Sequence, residues 1–331
     1  MKTSTVISVV AALVIAGGAW YWLGHNGVLV GAGDYKSVTV TIDGQPVTLV
    51  KGYAESPAAP GSATKIVTQY FGNDATGDLN GDGLADTAFL LTQNGGGSGT
   101  FYYVVVALAT KTGYEGTNAV LLGDRISPQT TEIEGGKLVV NYADRAAGAP
   151  MTTKPSIGMT KYLSVQGKSL WEIYTNKSVG FSVHVPPGYT TDEAYTYQQL
   201  GPGKGIPGVK FTIPASSVVG TNLAADTYLS VEQISKPVEC IASLFLDGAK
   251  AVDVIDAGKS YSIATSSGAG AGNRYEEIVF AVPHTSPCIA VRYFIHYGVL
   301  ENYPAGSVVG FNGQALLGEF DAIRHALILA Q

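Results

Sequence analysis

Charge is scarce in this chain. Lys, Arg, Asp and Glu together make up 14% of its 331 residues, well under the usual quarter, and Lys and Arg nowhere form a run. The balance is −6, so no basic patch is on hand to neutralise phosphates, and nucleic acid is set aside as a partner. Cysteine is almost missing: Cys240 and Cys288 are the only two, too few for a structural zinc site or a disulfide-dense mini-domain. The five histidines, His25, His184, His284, His296 and His325, show no metal-ligand spacing. Phosphate-binding signatures fail as well. NGGGSGT (Asn94 to Thr100) has no Lys and leads into a strand, and GAGAG (Gly268 to Gly272) does the same.

What the chain has in quantity is Gly, 42 residues, and Tyr, 19. Together with few charges, this composition suits an exported β-rich protein. The first 24 residues agree. No charge occurs from Thr3 to Gly24, and the apolar stretch Val6 to Leu23 spans 18 residues, the lower edge of a bilayer-spanning helix. Trp20, Tyr21 and Trp22 sit where an interfacial aromatic belt belongs, and Lys2 favours an internal N-terminus. The expectation is a single-pass transmembrane anchor at 1–24, a tether at 25–35, and a body outside the cytoplasm. The alternative is a signal peptide cleaved to release a secreted or periplasmic protein. In an oxidising compartment the lone pair Cys240 and Cys288 is expected to form a disulfide.

Beyond the tether the patterning is that of strands. SVTVTIDGQPVTLV alternates on either side of Asp43-Gly44, a tight-turn signature. TAFLLTQ and TFYYVVVALAT flank a Gly-rich turn, and TTEIEGGKLVVNYAD turns at Gly135-Gly136. Residues 36–168 therefore read as a mainly-β domain. From 169 to 331 the pattern restarts as strands with two helices, a short one over Val238–Leu246 and a closing one that carries Leu316, Phe320, Ile323 and Leu327 on one face. The fold class expected overall is α+β.

The opening of that second domain, YTNKSVGFSVHVPPGY, together with the helix VECIASLFL, the strands RYEEIVFAV and CIAVRYFIHY and the closing helix, resembles the PsbP-like domains. That resemblance implies an α/β/α sandwich and a role in binding or assembly with no catalysis. The chain departs from the pattern at His184-Val185 before a double proline and at the insert SSGAGAGN.

One motif names a ligand. In DLNGDGLAD, Asp78, Asn80, Asp82 and Asp86 place oxygen side chains at alternate positions, Leu84 offers its carbonyl, and Gly83 sits where a sharp turn is needed. The stretch resembles the calcium loops of FG-GAP repeats and, more loosely, those of dockerin modules and EF-hands. Phe89 stands where an EF-hand has its bidentate glutamate, and an apolar strand follows where a helix would. The expectation is a structural Ca2+ at Asp78, Asn80, Asp82, Leu84 and Asp86, with no cofactor and no catalytic residue assigned. The function expected is a membrane-anchored extracytoplasmic binding or scaffolding protein, with the membrane and an unidentified protein or cell-envelope component as partners. The alternative is an exported hydrolase whose site gathers His284, His296 or Arg292 with a nucleophile such as Ser267.

Overall fold

The chain divides into two units, Met1–Leu170 and Trp171–Gln331. In this computed structural model residues 29–30 and 33–330 are described, and both units are mainly β. The first holds β1 (Leu29–Val30), β2 (Thr39–Ile42), β3 (Gln45–Thr48), β4 (Tyr53–Pro57), β5 (Lys65–Gly77), β6 (Leu84–Asn94), β7 (Phe101–Thr110), β8 (Gly113–Gly116), β9 (Val120–Asp124), β10 (Ser127–Glu134), β11 (Lys137–Asp144) and β12 (Ile157–Gln166).

The two longest apolar runs, β6 and β7, pair antiparallel at the centre of a sheet ordered β4-β5-β6-β7-β8. Both of its faces are covered. Ala88, Leu90, Val104 and Val106 meet Leu138, Val140 and Leu163 of β11 and β12, while Phe89, Leu91, Tyr103 and Val105 meet Val38, Val40 and Ile42 around β2. Two-sided burial removes the polar alternation of a surface strand, so both strands read as unbroken apolar runs. The β2–β3 hairpin turns through Asp43 and Gly44, both left-handed at φ 49° and 77°, the conformation of a two-residue turn. Where β8 passes β2, a Cβ on Gly116 would lie 2.3 Å from the Thr39 carbonyl oxygen, so only glycine fits.

In the second unit the chain enters on β13 (Ser169–Asn176) and continues through β14 (Phe181–Val185), β15 (Thr190–Asp192), β16 (Thr196–Tyr197), β17 (Ile206–Thr212), β18 (Tyr228–Ile234), β19 (Val252–Asp256), β20 (Lys259–Gly270), β21 (Asn273–Ala281) and β22 (Cys288–Gly298) to α1 (Gly313–His325) and β23 (Ile328–Leu329). The main sheet runs β15-β17-β18-β22-β21-β20-β19, every pair antiparallel. One face, with Phe211, Leu229, Val291, Tyr293 and Ile295, packs on Leu316, Phe320 and Ile323 of α1. The opposite face is closed at one end by a core of Phe245, Leu246, Ala281, Cys288 and Ala290.

Two expectations about helices are corrected. Val238–Leu246 is not a helix but an irregular segment with a single 3₁₀ turn at Ala242–Leu244. Ile241 is extended, the Ala242 N–H donates to Ser262 Oγ, and Cys240 is tied to Cys288. Its buried residues, Cys240, Ala242, Phe245 and Leu246, are not one helical face, and Leu244 is exposed. Among the described residues the helical layer of this unit is therefore α1 alone, where an α/β/α sandwich has two. The closing helix also stops earlier than its periodicity suggests. It begins on an Asn312 cap, whose Oδ1 accepts from the Ala315 N–H, and ends at His325. Lys259 Nζ donates to the carbonyls of His325 and Leu327, satisfying acceptors that the ending helix leaves open, and Ile328–Leu329 pair with Phe181–Ser182.

Among the described residues no helix is long and apolar enough to cross a membrane. The anchor expected at 1–24 lies outside the described residues, as does His25.

Candidate functional site

The acidic loop joins β5 to β6, the strand at the heart of the first unit. Its turn chemistry is explicit. Asp78 Oδ1 accepts from the Gly81 N–H at 2.7 Å and Oδ2 from the Gly83 N–H at 2.9 Å. Asn80 Oδ1 accepts from the Asp82 N–H, and Asp82 Oδ1 from the Leu84 N–H. Gly83 turns the chain at φ 83°. Three oxygen-bearing side chains thus curl over one short loop, and each oxygen that accepts a backbone N–H keeps a second lone pair.

Asp86 is placed differently. It is fully buried, and its two oxygens accept from the main-chain N–H groups of Leu79 and Ala109, at 2.9 and 2.8 Å. It stitches the loop to β6 and β7. Burial pushes its pKa up, the two amides pull it back, and the charges of Asp82 and Asp78 push it further up. Counting only His, Cys, Asp and Glu, no group of three among the described residues converges as a metal site. Any cation at the loop would draw on Asn80 and the Leu84 carbonyl beside the carboxylates.

In the second unit Cys240 and Cys288 are joined, with Cα atoms 5.2 Å apart. The bridge fastens the Val238–Leu246 segment onto the first residue of β22. Beside it lies a cavity of about 760 Å3 between Pro237–Ile241, the start of β20 and Pro283–Ser286.

The residues weighed for hydrolysis are not gathered. His284 lines that cavity, and Ser267 is exposed on β20 opposite Glu276. Arg292 is fully buried. Its Nε and Nη2 donate to the two oxygens of Glu232 at 2.8 and 3.0 Å, Nη1 donates to Glu277, and Nη2 also donates to the Phe245 carbonyl. The guanidinium lies flat on Tyr197, 3.4 Å from the ring centroid. Such a fork, bidentate and stacked, is the arrangement that holds a buried Arg in place. Glu276 and Glu277 face opposite sides of the sheet, as adjacent strand residues must: Glu276 accepts from Tyr297, and Glu277 from Tyr197 and Arg292.

Above this buried cluster is a feature that sequence reasoning missed. Tyr195, Tyr228, Phe294, Tyr275 and His296 form a chain of ring contacts, with centroid separations of 5.5, 4.9, 6.2 and 4.4 Å. A cleft of about 280 Å3 opens against the first three. Gln198, Gln199, Lys210 and Asp226 stand at its rim. His296 Nδ1 is 2.7 Å from Asp226 Oδ1, while its buried Nε2 has no protein partner. The signal was present only as the abundance of tyrosine, because nothing in sequence order links a residue just before β16 to positions on β18, β21 and β22.

This chain matches no protein-family model and no curated protein.

Proposed function

We infer that the protein is a membrane-anchored, extracytoplasmic binding or scaffolding protein whose first unit is clipped by a structural calcium ion. The observation that carries the reading is the Cys240–Cys288 bridge. A lone structural disulfide belongs to an oxidising compartment, and the charge-free stretch from Thr3 to Gly24 supplies a route to one. The same stretch, kept uncleaved, would hold the body at the membrane.

Calcium is assigned to Asp78, Asn80, Asp82 and the Leu84 carbonyl, with Asp86 as the strut that fixes the loop on β6. Hard oxygens at alternate positions suit calcium, and neutralising Asp78 and Asp82 removes their mutual repulsion. The ion's task there is to order the loop. PsbP-like character in residues 169–331 rests on the strand order after Tyr174 and on the closing helix. It points the same way, toward a surface that binds.

The test is a calcium titration of the full chain by calorimetry and melting temperature, beside Asp82→Ala. Heat of binding and a calcium-dependent rise in melting temperature, both lost in the variant, support the clip. An unchanged melting temperature with no heat refutes it. One observation favours a second reading: the Asp226–His296 pair with its unpartnered Nε2 is the half of a base dyad that an exported hydrolase needs.

A further inference from the structure

We propose that the cleft lined by Tyr195, Tyr228 and Phe294 binds a neutral hexopyranose unit of a glycan. This rests on the reading of the protein as an extracytoplasmic binding module and names what its second unit binds.

The argument begins with shape and size. The cleft holds about 280 Å3, just under the range of about 300–1,000 Å3 common for drug-sized ligands. It suits one small ring. Its apolar surface consists of aromatic rings, with Tyr228 and Phe294 nearly parallel at 15°. Its rim carries each kind of hydrogen-bonding group. The Gln198 and Gln199 amides both donate and accept, Asp226 accepts, and the Lys210 ammonium donates. A pyranose is the complementary object, with C–H bonds across its face and hydroxyls around its edge.

Charge narrows the class further. An aromatic cage with a carboxylate nearby also suits a cationic ammonium ligand. Here that position is filled from within: Lys210 Nζ lies 5.4 Å from the Tyr195 ring centroid and 5.9 Å from that of Tyr228. Lys210 in turn pairs with Asp192 at 3.3 Å, and Asp226 Oδ1 is hydrogen-bonded to His296 Nδ1, so both groups already have partners within the protein.

The site is also held rigid from below. Tyr195 OH and Tyr228 OH are 2.9 Å apart, and Tyr195 donates to Glu232. Glu232 is held by Arg292, which stacks on Tyr197 of the wall. Burial pushes the Tyr195 and Tyr228 phenols well above their ordinary pKa, so both stay neutral. A buried ion cluster is a poor way to gain stability alone, but it is an effective way to lock the rings of a preorganised site.

The experiment titrates the full chain with cellohexaose, chitohexaose, laminarihexaose and maltohexaose by calorimetry, with the melting temperature and calcium response recorded for each variant. Binding of at least one hexaose is expected. It should weaken about tenfold in Phe294→Ala, the effect of removing one good ring contact. It should weaken by a smaller factor in Gln198→Ala/Gln199→Ala, where both residues are exposed and the fold is untouched. No binding of any hexaose, or binding unchanged in the glutamine double variant and in Phe294→Ala, overturns the site. If calcium binding survives that failure, the clip stands and only the ligand falls. New reducing ends after incubation would confirm that the cleft takes glycans, and would replace the non-catalytic reading with the hydrolase.

Discussion

Each unit buries a carboxylate completely, and the two solve the problem in opposite ways. Asp86 in the first unit is met by main-chain N–H groups alone, with no cation against it. Glu232 in the second is gripped by two of the three nitrogens of the Arg292 guanidinium, and by Ser230 and Tyr195. The first solution uses groups that the backbone supplies at any sequence. It tolerates change in the surrounding side chains as long as the loop keeps its path. The second depends on a particular partner sixty residues away, so it fails at once when that partner is lost. One unit is therefore robust to side-chain substitution around its charge, and the other is fragile.

The sharpest way to break this comparison is Arg292→Met. Glu232 would be left buried without its cation, and the second unit should lose about 3–5 kcal/mol. Denaturant unfolding would measure the loss, and hydrogen exchange would locate it beyond Leu170. Adding Glu232→Leu should restore much of it, because the penalty belongs to the stranded charge. A single variant as stable as the parent would mean that the cluster is not holding a charge at all.

Next comes the disulfide. Replacing both Cys240 and Cys288 by Ser removes a closure across a separation of 48 residues, worth about 4 kcal/mol in the chain-entropy model. Thermal unfolding should show the second unit melting earlier while protection in β6 and β7 stays unchanged. A shift in both would show that the units do not unfold independently.

The smallest expected effect is Asp86→Asn, about 1–3 kcal/mol, since a carboxamide turns a donor toward one of two N–H groups that need an acceptor. Its pH dependence carries the comparison further. Burial raises the folded pKa of Asp86 above the ordinary 3.8. Its linked stabilisation is thus complete below the unfolded pKa and is lost as pH rises through the folded one. Asp256 in the second unit behaves in reverse. Bonds from His325 and Arg324 hold it at about 2, so its contribution is present above 3.8 and lost as pH falls toward 2. Stability measured from pH 2 to 6 should therefore give wild-type-minus-variant curves of opposite slope for Asp86→Asn and Asp256→Asn. Parallel slopes would refute the assignment of Asp86 as an amide-held, uncompensated charge.

Much of the strand pattern was legible because local chemistry decides it. Asp43-Gly44 announces a two-residue turn by the left-handed backbone it tolerates, and Gly135-Gly136 does the same between β10 and β11. The disulfide was legible from composition, since a chain with two cysteines has one possible pairing. Val238–Leu246 was misread because nine residues with apolar positions three and four apart fit a helix and a tethered turn equally well. What separates them is a bond to Cys288 and one to Ser262, both distant in sequence. The end of α1 was misplaced for a similar reason. Leu327 continues the apolar period, yet it is buried as the chain leaves for β23. For the acidic loop the oxygen positions were visible, but not that Asp86 turns inward to the amides of Leu79 and Ala109. The aromatic cleft was invisible, because Tyr195, Tyr228 and Phe294 become neighbours only through the pairing of β16 with β17, β17 with β18 and β18 with β22.

The two-sided burial of β6 and β7 has a price before the fold exists. An unfolded chain presents Ala85 to Leu91 and Tyr103 to Ala109, high in β-forming residues and low in charge, separated by eleven residues that include the Gly-rich turn. Segments of that kind stack against copies of themselves when they meet in water. The yield of native protein on refolding should then fall as the concentration of unfolded chains rises. The hairpin's own closure, a matter of microseconds for such elements, is the event that competes with that loss.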